Sequence, residues 1–299
     1  MRDQADKLRK LVRETVKDHP ALEPGVPLVV VSGGATGVGT STVAIQLARE
    51  LARLGKRIVL ADANLQQPEM TNRLTVDAEI SLVDILSGER SAVEVLCPLG
   101  ESIQFLPGSW ATDSPPEMGR EAVKRMLTEL RSLGAHADMV IVDAGHGMSP
   151  WIQQLWRVAQ QVLLVSTLES DAMKQSYATV KLAPWGDVDS KVRLVVNKSE
   201  AKPLVQQASE RFAATCRRFL GASICQPAAV VTEATYEDLM SRRSDASSED
   251  IVFDQSISLL SAEVLSSCLV LSTHRQLQAS SSAKKSLKTS NITQTEPQV

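Results

Sequence analysis

Past position 25 the chain repeats one pattern: a run of apolar residues, then a longer stretch in which apolar positions recur every three or four. Continuous apolar runs read as strands buried on both faces, and the longer period reads as crossover helices. Strands are expected at 28–31, 57–61, 103–106, 139–142, 161–165 and 191–196. Between the first two, Val43, Leu47 and Leu51 mark a helix over 41–54. Val123, Met126, Leu127 and Leu130 mark another over 118–133. The expected fold is α/β: a doubly wound, mainly parallel sheet flanked by helices. No repeat of solenoid period competes with it.

Both ends depart from this rhythm. Residues 1–20 place Ala5, Leu8, Val12 and Val16 on one face of a short amphipathic helix, with charge elsewhere. Pro20, Pro24 and Pro27 separate it from the rest, so 1–20 is expected to be a docking segment and 21–26 a linker, against the alternative of a helix packed on its own core. The main domain is expected over 27–272. Residues 273–299, rich in Ser, Thr, Gln and Lys, are expected to be a disordered tail.

Composition narrows the partners. Lys and Arg total 32 against 35 Asp and Glu, a net charge of −3, which leaves no general footprint for nucleic acid. Four Trp, two Tyr and four Phe give little material for stacking bases. Cys97, Cys216, Cys225 and Cys268 show no CxxC spacing and the start resembles no signal peptide, so a reducing cytoplasm is expected. The longest apolar runs fall far short of the roughly 20 residues that span a bilayer.

The chemistry gathers behind the first strand, in SGGATGVGTS. Gly33, Gly34, Gly37 and Gly39 let the backbone curl so that successive N–H groups point inward at a phosphate, and the next helix adds its N-terminal dipole. Gly34, Gly39, Thr40 and Ser41 occupy the GxxxxGK[ST] positions, with Thr40 in place of the lysine. Ser41 stands where a hydroxyl would hold Mg²⁺. An ordinary glycine-rich turn is the alternative. Thr40 donates at most a neutral hydrogen bond, about half the strength of a charged one, so hydrolysis suffers most. No lysine lies between Lys17 and Lys56, and Arg49 and Arg53 read as solvated helix-face residues.

Two carboxylates follow predicted strands. Asp62 is a candidate to position the attacking water, with Thr40 stabilising the phosphates. Asp143 is a candidate Mg²⁺ holder beside Ser41. Each alone reads equally well as a helix or turn cap. His146, in the glycine-flanked loop after Asp143, would either touch phosphate or stand in solvent, and the second is favoured.

These residues resemble the MinD/ParA family of deviant-Walker ATPases over about 25–272. The family loop GKGGVGKT aligns with GATGVGTS without a gap. The signature lysine is Ala35, the general lysine is Thr40, and the family's Asp-x-Asp becomes Asp62-Ala63-Asn64. The resemblance implies ATP or ADP with Mg²⁺, held by Gly34, Ala35, Thr36, Gly37, Val38, Gly39, Thr40, Ser41 and Thr42. Asn197 would lie near adenine. It also implies a nucleotide-dependent homodimer, although Ala35 cannot make the crossing contact of the signature lysine.

Within the family the chain is similar to the FlhG-type (YlxH, FleN) regulators of flagellar number and placement. DQADKLRKLV resembles the DQAxxLR helix with which they engage the signal-recognition-type GTPase FlhF, which implies partner contacts through Asp3, Gln4, Leu8 and Arg9. IVDAGHGMS resembles IIDTGAGIS, with His146 where a small residue is usual. ATP hydrolysis is expected to be weakened or lost, the alternative being a scaffold without turnover. Stretches such as DANLQQPEMTNRL and FLPGSWATDSPPEMG are also similar to polysaccharide-export tyrosine kinases. Those need a tyrosine-rich tail, whereas Tyr177 and Tyr236 are the only tyrosines here. Membrane contact is expected to be peripheral at most. Phe253, Ile257, Leu260, Val264 and Cys268 form a helical stripe, but no Lys or Arg lies between 244 and 274, which favours a core-packed helix.

Overall fold

A computed structural model describes residues 25–65, 67–74, 79–109, 119–184, 191–199, 202–230 and 257–268. The predicted docking helix, most of the linker, the tail, Phe253 and Tyr236 lie outside the described residues. Strands are β1 (Leu28–Gly33), β2 (Ile58–Asp62), β3 (Cys97–Pro98), β4 (Ile103–Leu106), β5 (Met139–His146), β6 (Gln161–Ser166), β7 (Val192–Val196) and β8 (Cys225–Val230). They form one sheet in the order β3-β4-β2-β5-β1-β6-β7-β8. Every pairing is parallel except β3 with β4.

Helices connect them: α1 (Thr40–Arg53), α2 (Glu69–Arg73), α3 (Leu82–Ser87), α4 (Ala92–Val95), α5 (Arg120–Arg131), α6 (Pro150–Val158), α7 (Ser170–Leu182) and α8 (Lys202–Leu220), with a further helix, α9, at 257–268. All six predicted strands are present. Two were not predicted: β3 has only two residues, too few to show a period, and β8 carries Pro227, which an edge strand tolerates because its outer N–H needs no partner.

The unbroken apolar runs are explained by a core on each side of the sheet. In β1, Leu28 and Val30 join the layer under α3, α5, α6, α7 and α8, while Val29 and Val31 join the layer under α1 and α9. In the second layer α1 buries Val43, Ile45, Leu47 and Leu51, and α9 buries Ile257, Leu260, Val264 and Cys268. The described part of the C-terminal stripe is thus core. Two polar contacts fix α9: the Ser258 hydroxyl donates to Glu50 at 2.8 Å, and Arg193 on β7 pairs with Glu263 at 3.0 Å. Glu50 is fully buried, and the Arg53 guanidinium, bonded at 2.7 and 2.8 Å, holds its carboxyl below the ordinary range despite burial. Arg53 is therefore the partner of a buried charge rather than a simple solvated residue.

β1 leads through α1 to β2 on one side of the sheet, whereas β6, its neighbour on the other side, leads on to β7. The carboxyl ends of the strands on either side of such a reversal frame the crevice in which open α/β sheets bind ligands.

Candidate functional site

Beyond β1 the chain turns sharply. The Gly34 N–H donates to the Val165 carbonyl of β6 at 2.8 Å, and Gly34 lies so close to Ser176 of α7 that a Cβ would overlap that residue's backbone and side chain. Ser176 is itself fixed, donating to Ala172 O at 2.8 Å and meeting Ser166 Oγ at 2.9 Å. Ala35 and Val38 pack into the α1 layer. The loop is therefore braced from behind by apolar contact and by α7.

Its far end closes on Gly39, the N-cap of α1, at φ 89°, a left-handed conformation that L side chains seldom adopt. A Cβ there would also strike the Asn197 amide. That amide donates from Nδ2 to the Val38 carbonyl at 2.9 Å, clamping the loop to the end of β7. No side chain caps α1, its first turn carries no acid, and Gly39, Thr40, Ser41 and Thr42 at its start line a cleft of about 310 Å³, the size of a small-molecule site.

Of the predicted cofactor residues, Ala35, Thr36, Gly37, Gly39, Thr40, Ser41, Thr42 and Asn197 line this cleft. Gly34 and Val38 do not; they shape the loop from behind. The opposite wall holds Asn64, Gln67, Glu69, Arg73, Gly145 and His146, and Lys198 follows Asn197. Gln67, Glu69, Arg73 and Lys198 were not anticipated. Nothing in their local pattern marks them; α2 and the turn after β7 bring them there. Lys198 is the only non-glycine among the described residues at positive φ, 57°, an adverse conformation for its side chain and a sign of a constrained turn.

The two carboxylates share a strand edge, since Asp62 and Asp143 are register partners in the β2–β5 pairing. Both are fully buried. Asp143 accepts from the Ser41 hydroxyl at 2.5 Å on one oxygen and from the Gly145 N–H at 3.0 Å on the other. Burial pushes its pKa up, and these two bonds oppose the push. One oxygen of Asp62 accepts from the Thr71 N–H at 2.9 Å and hydroxyl at 2.8 Å, and the other from the Asn64 N–H at 3.4 Å. The Thr71 hydroxyl also receives the Gly108 N–H at 2.8 Å. Burial and then the nearby Asp143 raise the Asp62 pKa to about 7, against the Thr71 bonds. Asp62 thus ties α2 and the turn after β4 to the sheet and is not among the residues that line the cleft; its expected role in positioning water rests on its place at a strand end beside the phosphate loop.

A nucleotide with Mg²⁺ suits these residues on two observations. Asn197 Oδ1 is buried without a hydrogen-bond partner at the cleft wall, an acceptor left for a ligand donor. Ser41 on the cleft donates to Asp143, which is buried behind it and does not itself line the cleft, and this hydroxyl–carboxylate pair would offer a magnesium ion the hard oxygens it prefers. Such an ion would neutralise charge between the outer phosphates.

The profile of the CobQ/CobB/MinD/ParA nucleotide binding domain matches residues 29–239. The chain belongs to this family. Among its relatives, the antiactivator FleN of Pseudomonas aeruginosa is 25% identical over 209 residues, covering 70% of this chain and 74% of FleN. The flagellum site-determining protein YlxH of Helicobacter pylori is 24% identical over 188 residues, covering 61% of this chain and 62% of YlxH. The MinD of Pyrococcus horikoshii, solved with Mg-ADP, superimposes with a TM-score of 0.60 at 16% identity over 80% of this chain and 96% of that one. At that identity the structural likeness shows the fold. Among the described residues no helix is long and apolar enough to cross a membrane.

Proposed function

We propose that this family member is a cytoplasmic, FlhG-like regulator of flagellar assembly, number and placement that binds ATP or ADP with Mg²⁺ and hydrolyses ATP weakly or not at all. The observation that carries the reading is a braced phosphate cradle, with Ser41 on Asp143, in which both lysine positions are empty of charge, at Ala35 and Thr40. Backbone amides and a helix N-terminus attract phosphate without lysine. The developing charge of transfer lacks its usual counter-charge. The relatives named for antiactivation and flagellum siting support the regulatory part. Residues 1–20 are proposed to dock an FlhF-type GTPase through Asp3, Gln4, Leu8 and Arg9. A nucleotide-dependent homodimer and peripheral contact at the inner face of the membrane complete the proposal.

Titration calorimetry with Mg·ATP and Mg·ADP, beside a phosphate-release assay, tests it. Micromolar binding with little release is expected, and Thr40→Lys is expected to raise release by an order of magnitude or more. No binding of either nucleotide would refute the nucleotide part. Unchanged capture of FlhF after deletion of residues 1–20 would refute the docking part.

A further inference from the structure

The cleft has a direction. Asn197 and Lys198 close it at the end of β7, while Asp143 and His146 stand at the end of β5, and β1 and β6 lie between. At about 4.8 Å per strand spacing the two ends are roughly 14 Å apart, so an extended nucleotide spans them. Ser41 on Asp143 marks the outer-phosphate end. Of the basic side chains in the cleft, Lys198 belongs to the far end, and Arg73 on α2 pairs with Glu69 of its own helix at 2.9 Å. His146 is the one that the sheet itself holds beside the loop.

His146 is tied to the loop by register. It pairs with Gly33, and the Gly147 N–H donates to the Gly33 carbonyl at 3.2 Å. A Cβ on Gly33 would stand 2.5 Å from Thr40 Oγ1 and 3.3 Å from the His146 Cβ. The Thr40 hydroxyl and the root of the imidazole are thus at most about 6 Å apart, on either side of one glycine. Thr40 is where the loop lysine would start, and that lysine reaches the outer phosphates. His146 is half-buried, lines the cleft, and has an N–H to donate in either tautomer.

We propose that His146 contacts the terminal phosphate of a bound nucleoside triphosphate, supplying from the end of β5 part of what the lysine-less loop no longer supplies. This rests on the nucleotide reading of the cleft. It makes His146 the residue by which the protein distinguishes triphosphate from diphosphate, because a diphosphate ends short of it.

The test is calorimetry of the full chain with Mg·ATPγS and Mg·ADP, for wild type, His146→Ala, His146→Gln and His146→Lys. Expected is a loss of about three- to tenfold in ATPγS affinity for the alanine variant, the worth of one hydrogen bond, with ADP affinity unchanged. The lysine variant restores or exceeds the wild-type preference. Unchanged affinities in His146→Ala overturn the inference and leave the nucleotide reading standing, whereas a wild type that binds neither nucleotide overturns both. Equal loss of ATPγS and ADP affinity in both the alanine and the glutamine variants also overturns it, because His146 then only shapes the loop.

Discussion

Replacing Asp62 by Asn removes a buried charge and keeps the shape. The Asn carbonyl still accepts from the Thr71 N–H and hydroxyl, so α2 stays tied to β2, while the amide nitrogen gives up only the longer bond from the Asn64 N–H. What is lost is the cost of ionising a fully buried carboxyl beside Asp143. Burial raises the Asp62 pKa from 3.8 to about 7, so between about pH 4 and pH 7 the folded state binds a proton that the unfolded state has released. Stability from this group is therefore complete below pH 4 and is lost as pH rises through 7. The change corresponds to a ceiling of about 4 kcal/mol, and water entry and relaxation leave about 2 kcal/mol as the expected effect. Urea unfolding in EDTA without nucleotide, at pH 5, 6, 7 and 8, measures it. The wild type should weaken toward pH 8, and Asp62→Asn should weaken less and be the more stable at pH 8. Parallel pH profiles, or a less stable variant at pH 8, would refute the placement of a costly charge at Asp62.

Ser41→Ala leaves the buried Asp143 with the Gly145 N–H as its remaining donor among the described residues, so urea unfolding should show a loss of about 1–3 kcal/mol. Magnesium dependence of any nucleotide binding should fall with it in calorimetry. Gly34→Ala drives a methyl group into the backbone and side chain of Ser176, and overpacking of this kind costs about 1–3 kcal/mol, read as a lower urea midpoint. Stability equal to wild type in that variant would mean that the loop is not braced on α7.

The fold class and six of the eight strands were legible because apolar runs alternate with helical periods along the chain, while the order of the strands in the sheet was not. Local pattern carries such information, since each run must be buried on both faces. The phosphate loop was legible for the same reason: its glycines, Ser41 and the start of α1 are contiguous. The bracing was not legible. Ser176 meets Gly34 and Asn197 meets Val38 from strands and helices far away in sequence, and only the sheet order brings them together. Thr71 shows the limit most sharply. It reads as an ordinary polar residue of a short helix, yet it satisfies Asp62 twice and receives the Gly108 N–H. His146 read as a solvated loop residue because its pairing with Gly33 is a matter of register between β1 and β5.

The bracing and the missing lysines bear on each other. A loop lysine is a mobile point charge whose attraction grows as charge builds on the outer phosphates, so it favours the transition state over the bound nucleotide. Backbone amides fixed by Gly34 on Ser176 and by Asn197 on Val38 are set before any ligand arrives. They can hold a phosphate whose charge is already complete. On the proposed reading, a cradle shaped by its own packing and stripped of both lysines retains binding while giving up acceleration. Affinity and turnover are then separable in this chain. Thr40→Lys is expected to raise turnover more than affinity, whereas loosening the brace with Ser176→Gly should lower affinity without a matching change in turnover of bound nucleotide. Equal effects of Thr40→Lys on both quantities would mean that the amides and the lysine act on the same state, and the division of labour would fail.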